Sequence, residues 1–346
     1  MKQITDTKLS FNNFQKYINR KNYLPAVKDK LEHFAQKCNI NLSDFIKEVT
    51  QLEPNLFTFS AEKIRQLVKE LDNSDYGKIL KEVELYRKNV KQRNIKKSEN
   101  INAYEDLCDY FDGLYSDFSK KDYGYAYEMI KDLGLRACPY CNLNYIDSVI
   151  KEDNRGINNA EYIKTSNKVV RPHLDHFYPK SKYPFFAVSF YNLIPSCYEC
   201  NSGLKGDDII AINPYIDDFD SMAVFNIRLN GKSENTKNLR DINTFDIFLD
   251  PLKKTEDVEK YKETFELITR YSYKKDIISE LLAKIDEKTK EKFNEFRYTL
   301  CLQGYDDKII DLILYGNYTT SKDINKRPLS KLTKDIINNV KSNNLL

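Results

Sequence analysis

The sequence predicts an α+β protein in three parts, and three observations carry that prediction. Helix-period apolar patterning fills most of 1–134 and 258–341. Two short stretches, 223–229 and 244–249, alternate enough to form a small sheet. Between them in character lies 135–215, which holds two Cys-x-x-Cys pairs and a tight group of ligand-type side chains. The expected organisation is a helical region at 1–134, a cysteine-pinned core at 135–215 and a mixed, mainly helical region at 216–346.

The totals agree with a folded chain. At 346 residues it can bury one large core or two to three modest ones. Hydrophobic residues make up 41% and charged residues 31%, with 10 Gly and 10 Pro, a balance that favours helices over disorder. No apolar run approaches bilayer length, and Met1-Lys2-Gln3-Ile4-Thr5-Asp6 lacks the apolar segment of a secretion signal, so a cytoplasmic location is expected. A net charge of +3 permits nucleic-acid binding without demonstrating it, because such binding depends on a local patch.

In the first region, apolar positions recur at three and four residues over 24–34, 64–71, 79–86 and 107–118, which predicts helices there. His33 falls inside one of them and reads as a structural or surface residue. The basic run Arg87, Lys88, Lys91, Arg93, Lys96 and Lys97 either tracks a phosphate backbone or ends a helix in solvent. The aromatic residues of 104–127, among them Tyr115, Tyr123 and Tyr127, have helical spacing that favours packing over base stacking. Gly134 is expected to end the last of these helices. Beyond the core, 258–300 predicts two helices, and 306–314 and 329–341 one each.

The core carries the chemistry. Seven cysteines in a reducing compartment read as thiols or metal ligands, and Cys38, Cys108 and Cys301 stand alone as ordinary core residues. Cys138/Cys141 and Cys197/Cys200 can supply four thiolates to one tetrahedral Zn²⁺, a closed site whose role is structural. The competing reading is a redox pair, but the strand-then-helix setting of a thioredoxin-type motif is missing. The segments 143–150 and 169–174 read as two strands joined by a polar insert at 151–167. Segments 190–194 and 197–205 then follow as helical material. That ββα order brings Asp175, His176 and Asn201 within reach of one metal ion.

At these residues the chain resembles the HNH nucleases, whose ββα-metal motif has a His closing the strand pair, a central Asn, and a third His or Asn on the helix. His176, Asn192 and Asn201 match those positions, and Asp175 matches the acidic ligand that precedes the first His. The fuller string Cys-Pro-Tyr-Cys, Leu-Asp-His-Phe-Tyr-Pro-Lys-Ser, Asn-Leu-Ile-Pro-Ser-Cys and Lys-Gly-Asp is most similar to HNH nucleases of bacterial anti-phage systems, such as the Septu nuclease subunit and retron-associated HNH proteins. This likeness covers about 80 residues and neither flanking region.

The resemblance implies a zinc-stapled HNH core with assigned roles. His176 would be the general base. Asp175 and Asn201 would hold Mg²⁺ or Mn²⁺, with His173 as a further ligand or an orienting partner. Asn192 would hold the loop or orient the histidine, and Lys205 would contact a phosphate. It further implies cleavage of nucleic acid, DNA more than RNA, in anti-phage defence beside an ATPase partner. Two other classes stay open: a zinc-stabilised nucleic-acid-binding module without catalysis, and a subunit whose helical regions mainly dock a partner.

Overall fold

Apolar stripes set the helices of the first region, and serine caps start three of them. The computed structural model describes residues 1–5, 7–90, 96–120, 125–148, 170–229, 241–285 and 287–343. Among them run α1 (Lys8–Lys21), α2 (Leu24–Lys37), α3 (Ser43–Val49), α4 (Ala61–Asp72), α5 (Asp75–Asn89), α6 (Glu99–Ser119) and α7 (Tyr125–Leu133). The hydroxyls of Ser60, Ser74 and Ser98 accept the N–H groups of Lys63, Tyr76 and Ile101 at the starts of α4, α5 and α6. Each such cap is worth about 1 kcal/mol. Gly134, at φ +64°, closes α7 in the left-handed conformation that glycine adopts without penalty. His33 lies exposed on α2.

The core sits around a different hairpin from the one the sequence predicts. The paired strands are β1 (His173–His176) and β2 (Leu193–Ser196), antiparallel with His173 opposite Ser196 and His176 opposite Leu193. Residues 141–144 turn, and Tyr145 makes one isolated bridge to Ala137. The segment 190–194 divides between a 3-10 turn (Phe190–Asn192) and the start of β2. A π-helix (Glu199–Lys205) follows β2, so the strand–strand–helix order survives with new partners. The Cys-x-x-Cys turn competes with strand geometry at 138–144, whereas Leu193-Ile194-Pro195-Ser196 is fully buried and needs a paired neighbour. Ile150, the insert 151–167 and Val169 lie outside the described residues, as do Lys91, Arg93 and Tyr123.

In the last region β3 (Ala223–Leu229) pairs antiparallel with β4 (Phe245–Pro251). The periodic stretch expected as two helices runs as α8 (Thr255–Thr264), α9 (Leu267–Ser272), α10 (Lys275–Ile285) and α11 (Glu287–Leu302). Apolar period alone does not register the left-handed Glu266, φ +46°, which re-aims the chain between α8 and α9. Then come α12 (Asp307–Tyr315) and α13 (Ser330–Asn343). Lys331 of α13 is buried and bonds Asp220 at 3.1 Å, Asp335 at 2.8 Å and the Ala223 carbonyl at 2.7 Å. Such pairing is the condition under which a buried ammonium is tolerated.

The main apolar core runs from Met1 to Val340 and draws on all three regions, with Cys138, Cys141, Cys197 and Cys200 inside it. Cys38 is buried and Cys108 half-buried, but Cys301, expected in the core, is exposed on α11 one position past buried Leu300. Among the described residues, no helix is long and apolar enough to cross a membrane.

Candidate active site and metal centre

The two Cys-x-x-Cys segments meet. After Cys138 the chain turns tightly, with the N–H of Asn142 donating to the Cys138 carbonyl at 2.8 Å and Asn142 itself left-handed at φ +53°. The Asn142 side chain donates to the Ile324 carbonyl at 2.9 Å and accepts the Lys331 N–H at 3.0 Å, so the last region holds the turn. Cys197 and Cys200 arrive from the end of β2 and the first turn of the π-helix.

All four Sγ atoms lie within 4.8 Å of one another in buried positions. The Cys141 and Cys197 sulfurs are 3.8 Å apart. That separation is far beyond a disulfide and equals the edge of a tetrahedron with metal–sulfur bonds of about 2.3 Å. The N–H groups of Leu143 and Cys197 point at the sulfurs of Cys141 and Cys138, at 3.4 Å and 3.5 Å. The donor set fits one tetrahedral zinc with no open position. Such an ion would bind 138–141 to 197–200 and add to folding stability.

A cleft of about 640 Å³ opens beside β1, and His173, Asp175, His176 and Asn201 all line it. Strand alternation places His173 and Asp175 on one face and His176 on the other. The first face meets the π-helix in two rungs. His173 Nδ1 lies 3.2 Å from Asn201 Nδ2 near the rim, and Tyr198, exposed, stands edge-on to the His173 ring at 5.4 Å. Deeper, Asp175 is 2% exposed and accepts from Tyr140 Oη at 2.5 Å and from Lys205 Nζ at 3.2 Å. Burial pushes the Asp175 carboxyl up, against the opposing pull of Lys205 and Tyr140.

Lys205, expected at a phosphate, points inward instead. Its side chain is 0% exposed and also donates to the His176 carbonyl at 3.0 Å. A buried carboxylate calls for a cation more strongly than solvent does, which is the reason for this placement.

His176 faces α6. Its Nε2 lies 3.0 Å from the Ala187 carbonyl oxygen, and the ring stands edge-on to Tyr115 with centroids 4.6 Å apart. A carbonyl only accepts, so Nε2 carries the proton and Nδ1 is left as the acceptor. Burial lowers the imidazole to about 4, overcoming the carbonyl, and the ring is therefore neutral at pH 7. The Asn192 side chain hydrogen-bonds neither His176 nor the cysteines. It clamps the 177–192 connection, accepting the Tyr178 N–H at 2.8 Å and donating to the Tyr178 and Phe186 carbonyls at 3.1 Å and 3.0 Å.

Comparison with known proteins adds one short likeness. No family model matches the chain, and no solved structure matches it. Protein ea31 of Escherichia phage lambda is similar, at 50% identity over 50 residues. That alignment covers 13% of this chain and 17% of protein ea31, well under two thirds of the relative's length.

Four cleft residues escaped the sequence reading. Tyr115 from α6 and Tyr127 from α7 wall the cleft from the helical side. Lys180 lies over the Tyr115 ring at 5.6 Å while pairing with Asp112 at 2.8 Å, and Arg171 lies over Tyr127 at 5.5 Å. Arg171 and Lys180 flank the His173–His176 segment, which was the available signal. The two tyrosines were masked by a helical spacing that also serves the core. Arg87, expected on phosphate or in solvent, donates to the Ser181 carbonyl at 3.1 Å and so braces the same connection. Chemically, the cleft joins a neutral imidazole to amide and carboxylate oxygens with cations at its edge.

Proposed function

We propose that this chain is a metal-dependent HNH-type endonuclease that hydrolyses phosphodiester bonds in nucleic acid. The observation that carries the reading is the His176–Ala187 hydrogen bond, which fixes the neutral tautomer with Nδ1 as acceptor in a cleft shared with Asp175 and Asn201. In this reading Nδ1 takes a proton from the attacking water. Asn201 and Asp175, with His173 beside Asn201, would hold Mg²⁺ or Mn²⁺, since hard cations prefer carboxylate and amide oxygens. When bound, the ion supplies charge stabilisation at the scissile phosphate and the leaving oxygen. Asn192 acts through the connection, keeping Ala187 against the histidine. Arg171 and Lys180 replace Lys205 as the cations that meet phosphates.

DNA as the preferred substrate, a role in anti-phage defence and an ATPase partner all rest on the resemblance of 138–215 to the HNH nucleases of such systems. The deciding experiment incubates the purified chain with plasmid DNA and with RNA, with and without Mg²⁺, beside the His176→Ala variant. Metal-dependent cleavage lost in the variant supports the nuclease.

One observation favours a second reading, a nucleic-acid-binding or partner-docking subunit without its own catalysis. Both oxygens of Asp175 are already engaged by Tyr140 and Lys205. Binding of either nucleic acid with no cleavage in any divalent metal would select that reading.

A further inference from the structure

The cysteine centre has a neighbour from outside the core. Arg270 of α9 places Nη1 3.4 Å from Cys200 Sγ and Nη2 3.5 Å from Cys141 Sγ, so one guanidinium spans a cysteine of each pair. Its Nη1 also donates to the Phe265 carbonyl at 3.3 Å, which holds the fork in place. Four thiolates around one Zn²⁺ leave two negative charges in a buried setting, where an uncompensated charge is costly. A planar, always protonated fork suits this task better than a single ammonium.

We propose that Arg270 is the electrostatic partner of the zinc–thiolate centre, making metal retention depend on the C-terminal helices. The docking of those helices does not itself depend on Arg270. Tyr271 Oη donates to the Cys141 carbonyl at 2.7 Å, and Tyr261 Oη donates to the Tyr140 carbonyl at 2.8 Å. Tyr140 also stacks on Phe265 with centroids 4.9 Å apart. Removing the guanidinium therefore leaves α8 and α9 in place and exposes the charge on the sulfurs.

The test uses the full chain loaded with zinc, as wild type, Arg270→Met and Arg270→Lys, and follows zinc transfer to a colorimetric chelator. Arg270→Met should lose zinc about tenfold faster or more, the usual scale for removing a group that supports metal ligands, with Arg270→Lys between it and wild type. In the Co²⁺-loaded proteins the sulfur-to-cobalt charge-transfer band should move to lower energy in Arg270→Met, because its thiolates have lost two N–H donors. A merely structural role would not move that band. Wild-type release with an unmoved band would overturn the role of Arg270. A wild-type chain that takes up no zinc on reconstitution would overturn the metal centre itself.

Discussion

His176 Nε2 and the Ala187 carbonyl oxygen are 3.0 Å apart, and this contact decides which ring nitrogen can serve as a base. Ala187 belongs to the 177–192 connection that Asn192 clamps. The tautomer of a residue on β1 is thus set by the loop leading to β2, while burial keeps its ring neutral.

Replacing His176 by Ala should cut metal-dependent cleavage by about 10²–10⁴-fold, the range for a lost general base, with the chain still folded and zinc retained. A plasmid-nicking time course with zinc analysis and a thermal melt checks this. Equal cleavage by the variant would remove His176 from the mechanism.

Asn201→Ala and Asp175→Ala should both weaken the Mg²⁺ dependence of cleavage but differ in stability. Asn201 lies near the rim, so its loss should stay within about 0.5 kcal/mol. Loss of Asp175 strands the buried Lys205 ammonium, which costs about 3–5 kcal/mol. Urea unfolding and a Mg²⁺ titration separate the two effects. Unchanged metal dependence in both variants would point to another site.

Cys138→Ser or Cys197→Ser should lower thermal stability and zinc content together, since each removes one of four clustered thiolates. Treatment of wild type with a strong chelator should produce the same downward shift. A variant that melts like wild type and still holds one zinc would refute the structural role.

Acid should loosen the attachment of α13. Burial alone would raise the Asp220 carboxyl, but Lys331 and Lys334 outweigh it and hold the group at about 2. A folded value below the unfolded one stabilises the protein above about pH 4, and this contribution is lost as pH falls from there through about 2. The contribution is roughly 2 kcal/mol at neutral pH. Asp220→Asn should melt lower at pH 7 and show a shallower decline across that acid window. A parallel decline in wild type and variant would exclude Asp220 as the titrating group.

Much of the fold could be read in advance where a pattern is local. Apolar spacing at 24–34, 64–71 and 107–118 marks α2, α4 and α6, and alternation at 223–229 marks β3. The hairpin was misassigned because β1 and β2 are four residues each, too short for periodicity to distinguish them from neighbours, and their partners lie far apart in the chain, His173 opposite Ser196 and His176 opposite Leu193. Lys205 was misplaced for a related reason. Its spacing from Asn201 indicates a shared helix, but whether an ammonium faces solvent or a buried carboxylate depends on what packs against that helix.

The amino-acid order alone specifies the α+β class, the helical flanks and the four thiols suited to one metal, because these follow from periods and spacings carried within short segments. Folding in three dimensions settled the remainder: β1 paired with β2, Lys205 turned to Asp175, Tyr115 set on His176, and Arg270 brought to the sulfurs from about 70 residues beyond Cys200. Each of these is a contact between distant segments, and burial of charge and apolar surface across the whole chain selects among such contacts.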